Sequence, residues 1–140
     1  MTAVELEIPP RSAYVGVVRL TLASLARTSG LDENGVEELK MAVSEACANA
    51  VLANEEAGSD EPVTIKYSSD AEALTVLVQD RGEDSSDPAA HDLFDSQGFS
   101  SRVAMSLRLL NSLVDDCDFI PREGGGMTTS LVVKRQGNDD

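Results

Sequence analysis

Apolar and acidic positions alternate at the start of the chain, with Val4, Leu6 and Ile8 set against Glu5 and Glu7. A period of two predicts a half-buried strand, and Pro9 and Pro10 end it. From Ser12 the spacing changes to threes and fours, through Val15, Val18, Leu22, Leu25 and Ala26, which predicts a helix stopped at Ser29 and Gly30. Asp32 stands where an N-cap opens a second helix, and its first turn is acidic, as the helix dipole favours. That helix is expected to run to Asn54. Its Val36, Leu39, Val43, Cys47 and Ala50 form one apolar stripe at helical spacing. Glu45 and Asn49 project from the other side with Met41 and Leu52, so something other than bulk water is expected to cover that side.

Two alternating strands follow, one through Val63, Ile65 and Tyr67, the next through Leu74, Val76 and Val78. A long polar loop, Asp80 to Gly98, precedes a third helix expected over Val103 to Val114. The segments "DCDFI" and "TTSLVVK" read as closing strands joined by "REGGG", before a frayed tail. The order β-α-α-β-β-α-β-β, with grouped helices and hairpin-joined strands, predicts an α+β sandwich: a mostly antiparallel sheet covered on one face by helices. There is no internal repeat and no linker, and the length suits one domain over residues 1–140.

Composition narrows the class. Aromatic residues make up only 4% of the chain, so Leu, Val, Ile and Ala must build the core. A net charge of -14 argues against bare nucleic acid and an anionic membrane surface, and favours a partner with basic patches. No apolar run approaches the roughly 18 residues of a membrane span, and "MTAVELEIPP" lacks the features of a signal peptide. Cys47 and Cys117 sit in apolar patterns, so reduced buried thiols in a cytoplasmic protein are expected rather than a disulfide. One His and two separated Cys offer no zinc-ligand spacing, and His91, in the acidic loop, reads as solvated.

Three features carry candidate chemistry. Glu45 and Asn49 stand one helical turn apart, where a carboxylate can deprotonate a nucleophile and an amide oxygen can ligate Mg²⁺. Taken alone, that spacing occurs by chance in many helices. Asp80 ends a strand two residues before Gly82, where it can accept from an exocyclic amine while the glycine permits close approach; a plain turn uses the same residues. "GGGMTTSLVV" leads a glycine loop into the last strand, which by itself reads as a hairpin.

In this order, on these elements, the three together resemble the boxes of the GHKL ATPase superfamily. "LKMAVSEACANAV" is similar to its N-box, and more closely to that of the small bacterial anti-sigma factors of the RsbW and SpoIIAB type, which are serine protein kinases. The resemblance runs from "VELEIPP" through "YVGVVRLTLASLA" to "SLVVKR". It implies a Bergerat-type ATP-binding sandwich. It implies Glu45 as catalytic base, Asn49 as ligand of Mg²⁺ on ATP, and Asp80, Gly82, Gly126 and Thr128 as further ATP-binding residues. Arg19 would contact a partner protein. The implied partners are a sigma factor and an anti-anti-sigma (STAS) protein whose serine is phosphorylated, and the implied assembly is a homodimer. The alternative is a degenerate member that binds the same partners without catalysis.

The chain departs from the family pattern at its glycines. Asp84 replaces the second glycine of the first box, and Met127 follows Gly126 where the last box has its Gly-Thr. "AMS", Ala104 to Ser106, stands where a Gly-x-Gly is expected, with Gly98 upstream as a displaced glycine. Side chains there obstruct the backbone N–H groups that hold phosphates. The loop's acidic residues also repel a triphosphate, with Arg102 and Arg108 as possible compensation.

Overall fold

The computed structural model describes residues 2–82 and 97–135, the side chains of 97–103 excepted. The acidic loop with Asp84 and His91, and the side chain of Arg102, therefore lie outside the described residues. The elements are β1 (Thr2–Ile8), a 3-10 turn (Ser12–Tyr14), α1 (Val15–Thr28), α2 (Glu33–Glu56), β2 (Val63–Ser69), β3 (Ala73–Gln79), α3 (Gln97–Leu113), β4 (Asp116–Pro121) and β5 (Met127–Lys134). The strands form a five-stranded antiparallel sheet in the order β1-β2-β3-β5-β4.

Register decides which face is buried. Val4, Tyr67, Val76, Leu131 and Cys117 lie in one row across the sheet, and Leu6, Ile65, Val78, Thr129 and Phe119 in the next. This face meets the helices. The interleaved row Glu5, Lys66, Leu77, Ser130 and Asp118 faces away from them. α1 packs along α2, and α2 meets the middle of the sheet and α3. All five residues of the expected α2 stripe are buried, joined by Ala42, Ala46 and Val51. Asp32 caps α2 as expected, its Oδ1 accepting from Gly35 N at 2.8 Å.

Three boundaries differ from the sequence expectation. The chain enters α1 through a 3-10 turn, and α2 continues past Asn54 to Glu56. α3 begins at Gln97 rather than at Val103. Its first turns, "QGFSSR", carry no helical apolar period, so nothing in the pattern announced them. Gly98 lies within the first turn of α3.

Both cysteines are free and buried. Burial pushes the Cys47 thiol up to about 12 and the Cys117 thiol up to about 11, the latter with help from Asp118. Both therefore stay protonated and unreactive at neutral pH. Among the described residues no helix is long and apolar enough to cross a membrane.

Candidate functional site

Glu45 and Asn49 are half-buried, and what covers them is α3. The hydroxyl of Ser106 donates to Glu45 Oε2 at 2.9 Å. Asn49 Nδ2 donates to Ser106 Oγ at 2.7 Å and to Glu45 Oε2 at 3.3 Å. The triangle fixes the amide. With Nδ2 turned to two acceptors, Asn49 Oδ1 takes no part in the triangle; the opposite flip would set oxygen against the carboxylate. Ser106 is 4% exposed, whereas Glu45 and Asn49 keep part of their surface open.

Asp80 marks the second half of the site. It continues β3 on the helix face, is 6% exposed, and its Oδ1 accepts from Gly82 N at 2.9 Å and Met127 N at 3.1 Å. Burial raises its pKa above the ordinary carboxylate value. The backbone bonds from Gly82 and Met127 and the charges of Arg122 and Arg81 pull the other way. The two arginines clasp the neighbouring loops reciprocally. Arg81 Nη1 donates to Glu123 O at 3.1 Å and Gly125 O at 2.9 Å, while Arg122 Nη1 donates to Asp80 O at 2.7 Å.

The glycines here are required by packing. A Cβ on Gly126, whose φ is +99°, would stand 2.1 Å from Asp80 O. A Cβ on Gly82 would stand 2.9 Å from the Ala53 Cβ of α2. Asn54, fully buried, ties the same corner: its Oδ1 accepts from Arg81 N at 2.8 Å and its Nδ2 donates to Glu61 O at 2.8 Å.

A family model for the histidine kinase-like ATPase domain matches residues 8–133. The serine-protein kinase RsbW of Bacillus licheniformis is 31% identical over 98% of this chain and 89% of its own length. The RsbW of Bacillus mycoides is 28% identical over 95% of this chain and 86% of its own. This chain belongs to the histidine kinase-like ATPase family, in its RsbW group. A crystal structure of the RsbU and RsbW domains of a Mycobacterium tuberculosis protein superimposes with a TM-score of 0.72 at 16% identity. That match covers 97% of this chain and 34% of the longer one, and it bears on the fold alone.

Within the RsbW group's frame, the expected residues fall into two clusters: Glu45 with Asn49, and Asp80 with Gly82 and Gly126. Thr128 is buried, at 8% exposure, near the start of β5. It pairs with Gln79 and Ile120, and its Oγ1 accepts from Gln79 Nε2 at 3.4 Å, on the sheet face away from the helices. The period of two gives the helix face to its neighbour, Thr129. Arg19 is exposed on α1, with one long contact at 3.5 Å to Ser44 Oγ, among the exposed Val17, Leu20 and Met41. Arg108 is exposed on α3.

Sequence reasoning missed Ser106, Asn54, Arg81 and Arg122. Ser106 registered only as a missing glycine, because its partners lie 57 and 61 residues away. The donor set fits a nucleotide with Mg²⁺. Asp80 is a buried acceptor beside two arginines, and Asn49 Oδ1 is a hard oxygen ligand of the kind that completes a shell otherwise made of water and phosphate.

Proposed function

We propose that this protein is an anti-sigma factor of the RsbW kind, which sequesters an RNA polymerase sigma factor and phosphorylates a serine of an anti-anti-sigma (STAS) protein. The observation that carries the proposal is the Glu45 carboxylate, which already accepts a hydrogen bond from a serine hydroxyl beside an amide oriented for a cation. ATP bound with Mg²⁺ supplies the phosphoryl group. Glu45 takes the proton of the acceptor hydroxyl. Asn49 would hold the metal. Asp80 accepts from the adenine amine, with Thr128 as a further nucleotide contact and Gly82 and Gly126 keeping the strand ends close. Arg19 and its apolar neighbours form the protein-binding patch, an arrangement typical of interface anchors. The protein acts in the cytoplasm, where its two free thiols stay reduced. The same reading expects a homodimer, which sedimentation would count.

Calorimetry with ATP and Mg²⁺ on the purified protein tests the nucleotide half of the proposal. Binding is expected, and Asn49→Ala is expected to weaken it only when Mg²⁺ is present. Glu45→Gln is expected to keep binding and lose transfer to the STAS serine. No binding at millimolar ATP would remove the kinase and leave sequestration alone.

A further inference from the structure

The proposed transfer to a partner gives Ser106 no task, yet its hydroxyl has the surroundings of a nucleophile held by its own base. The proton of Ser106 Oγ points to Glu45 Oε2 at 2.9 Å, and Asn49 Nδ2 orients both oxygens, at 2.7 and 3.3 Å. A base within hydrogen-bond reach of the proton it removes, itself oriented by a third group, is the general arrangement of an activated nucleophile. Because Ser106 lies on α3, helical backbone rather than a loop delivers the hydroxyl.

We propose that Ser106 is a second phosphoryl acceptor, modified by its own chain from a nucleoside triphosphate. The inference rests on the reading of Glu45 as base and Asn49 as metal ligand. Ser106 Oγ forms a bond to the γ-phosphorus while the bond from that phosphorus to the β–γ bridging oxygen breaks. The nucleoside diphosphate leaves with that electron pair, and the hydroxyl proton passes to the Glu45 carboxylate. Glu45, Asn49 and Ser106 belong to one chain and Ser106 is only 4% exposed, so the transfer is expected to be intramolecular once this contact opens to the γ-phosphoryl group. The product sets a phosphate dianion against Glu45, where like charges repel at a half-buried position. The Ser106 link between α2 and α3 is then lost, and Glu45 is no longer free to serve a partner's serine. The modification is thus self-limiting.

The test is intact-mass analysis with peptide mapping after incubation with ATP and Mg²⁺. One phosphoryl mass on Ser106 is expected, with a half-time independent of protein concentration, and none is expected in Glu45→Gln or Ser106→Ala. A second readout needs no nucleotide. S106D, carrying the charge, is expected to melt lower than S106A and to exchange amide hydrogens faster across residues 104–113. If ATP binds and a STAS serine is phosphorylated while Ser106 stays unmodified, the inference is overturned and the proposed function stands. If ATP does not bind, both fall. A phosphate mapped to another residue, or S106D indistinguishable from S106A in melting and exchange, also overturns the inference.

Discussion

Asp80 shows how burying one carboxylate makes stability depend on pH. Its folded pKa is raised above the ordinary value of 3.8 because burial penalises the charged form. The folded protein therefore holds a proton that the unfolded chain releases, so stability falls as pH rises from 3.8 through the folded pKa. Asp80→Asn keeps the Oδ1 acceptor for Gly82 and Met127 but removes the charge. It is expected to flatten that slope and to match or exceed the wild type in urea denaturation at neutral pH, while weakening nucleotide binding with or without Mg²⁺. The glycines separate in the same way. Gly126→Ala places a Cβ against Asp80 O and is expected to cost about 3 kcal/mol or more. Gly58→Ala has a φ of +67° but open space around it, and is expected to cost about 1 kcal/mol. Denaturation midpoints of the two variants check the contrast. In the sequence both are simply glycines near turns; only the distance to Asp80 distinguishes them.

At the scale of elements, α2 was the most legible and also held the largest omission. Its apolar stripe, its N-cap and the placing of Glu45 and Asn49 off that stripe all followed from spacing, because a helix writes its faces into a short window of sequence. Asn54 did not follow. It stands where the pattern suggested the helix would stop, and its partners, Arg81 and Glu61, belong to other segments. Asn54→Ala strips a fully buried corner of two hydrogen bonds and is expected to cost about 2–3 kcal/mol. Glu45→Ala, at a half-buried position, is expected to cost under about 1 kcal/mol. Thermal melts of the two variants give the comparison, and a reversed order would make Glu45 a structural residue. The start of α3 was illegible for a different reason: its first turns have no apolar face to show.

Over the whole molecule, the sheet was readable as a set of strands but not as an order. Alternation identified the first three strands and the glycine loop set off the last two, whereas the placing of β5 between β3 and β4 depends on pairings between distant segments. The same limit applies to Thr128 and Thr129, which register alone assigns to opposite faces of the sheet. Charge, by contrast, is a property of the whole chain and was legible at once. A net charge of -14 with Arg19 at the exposed patch predicts partners whose binding weakens as ionic strength rises. Arg19→Ala is expected to lower affinity for the sigma factor or the STAS protein by at least about tenfold. Titration calorimetry with each partner measures it, and unchanged affinity for both would remove Arg19 from the interface.

The reciprocal grip of Arg81 and Arg122 bears on the order in which a nucleotide would be received. The corner around Asp80 is assembled before any ligand arrives, with Arg81, Arg122 and Asn54 each bonded to the backbone of a neighbouring segment. The pair at Glu45 and Asn49, in contrast, is engaged by Ser106. On the proposed reading, adenine would meet a finished seat and the phosphates an occupied one, and association is expected to be a two-step event. A fast phase, proportional to nucleotide concentration, would report the base, and a slower phase, independent of concentration, would report the opening of the Ser106 contact.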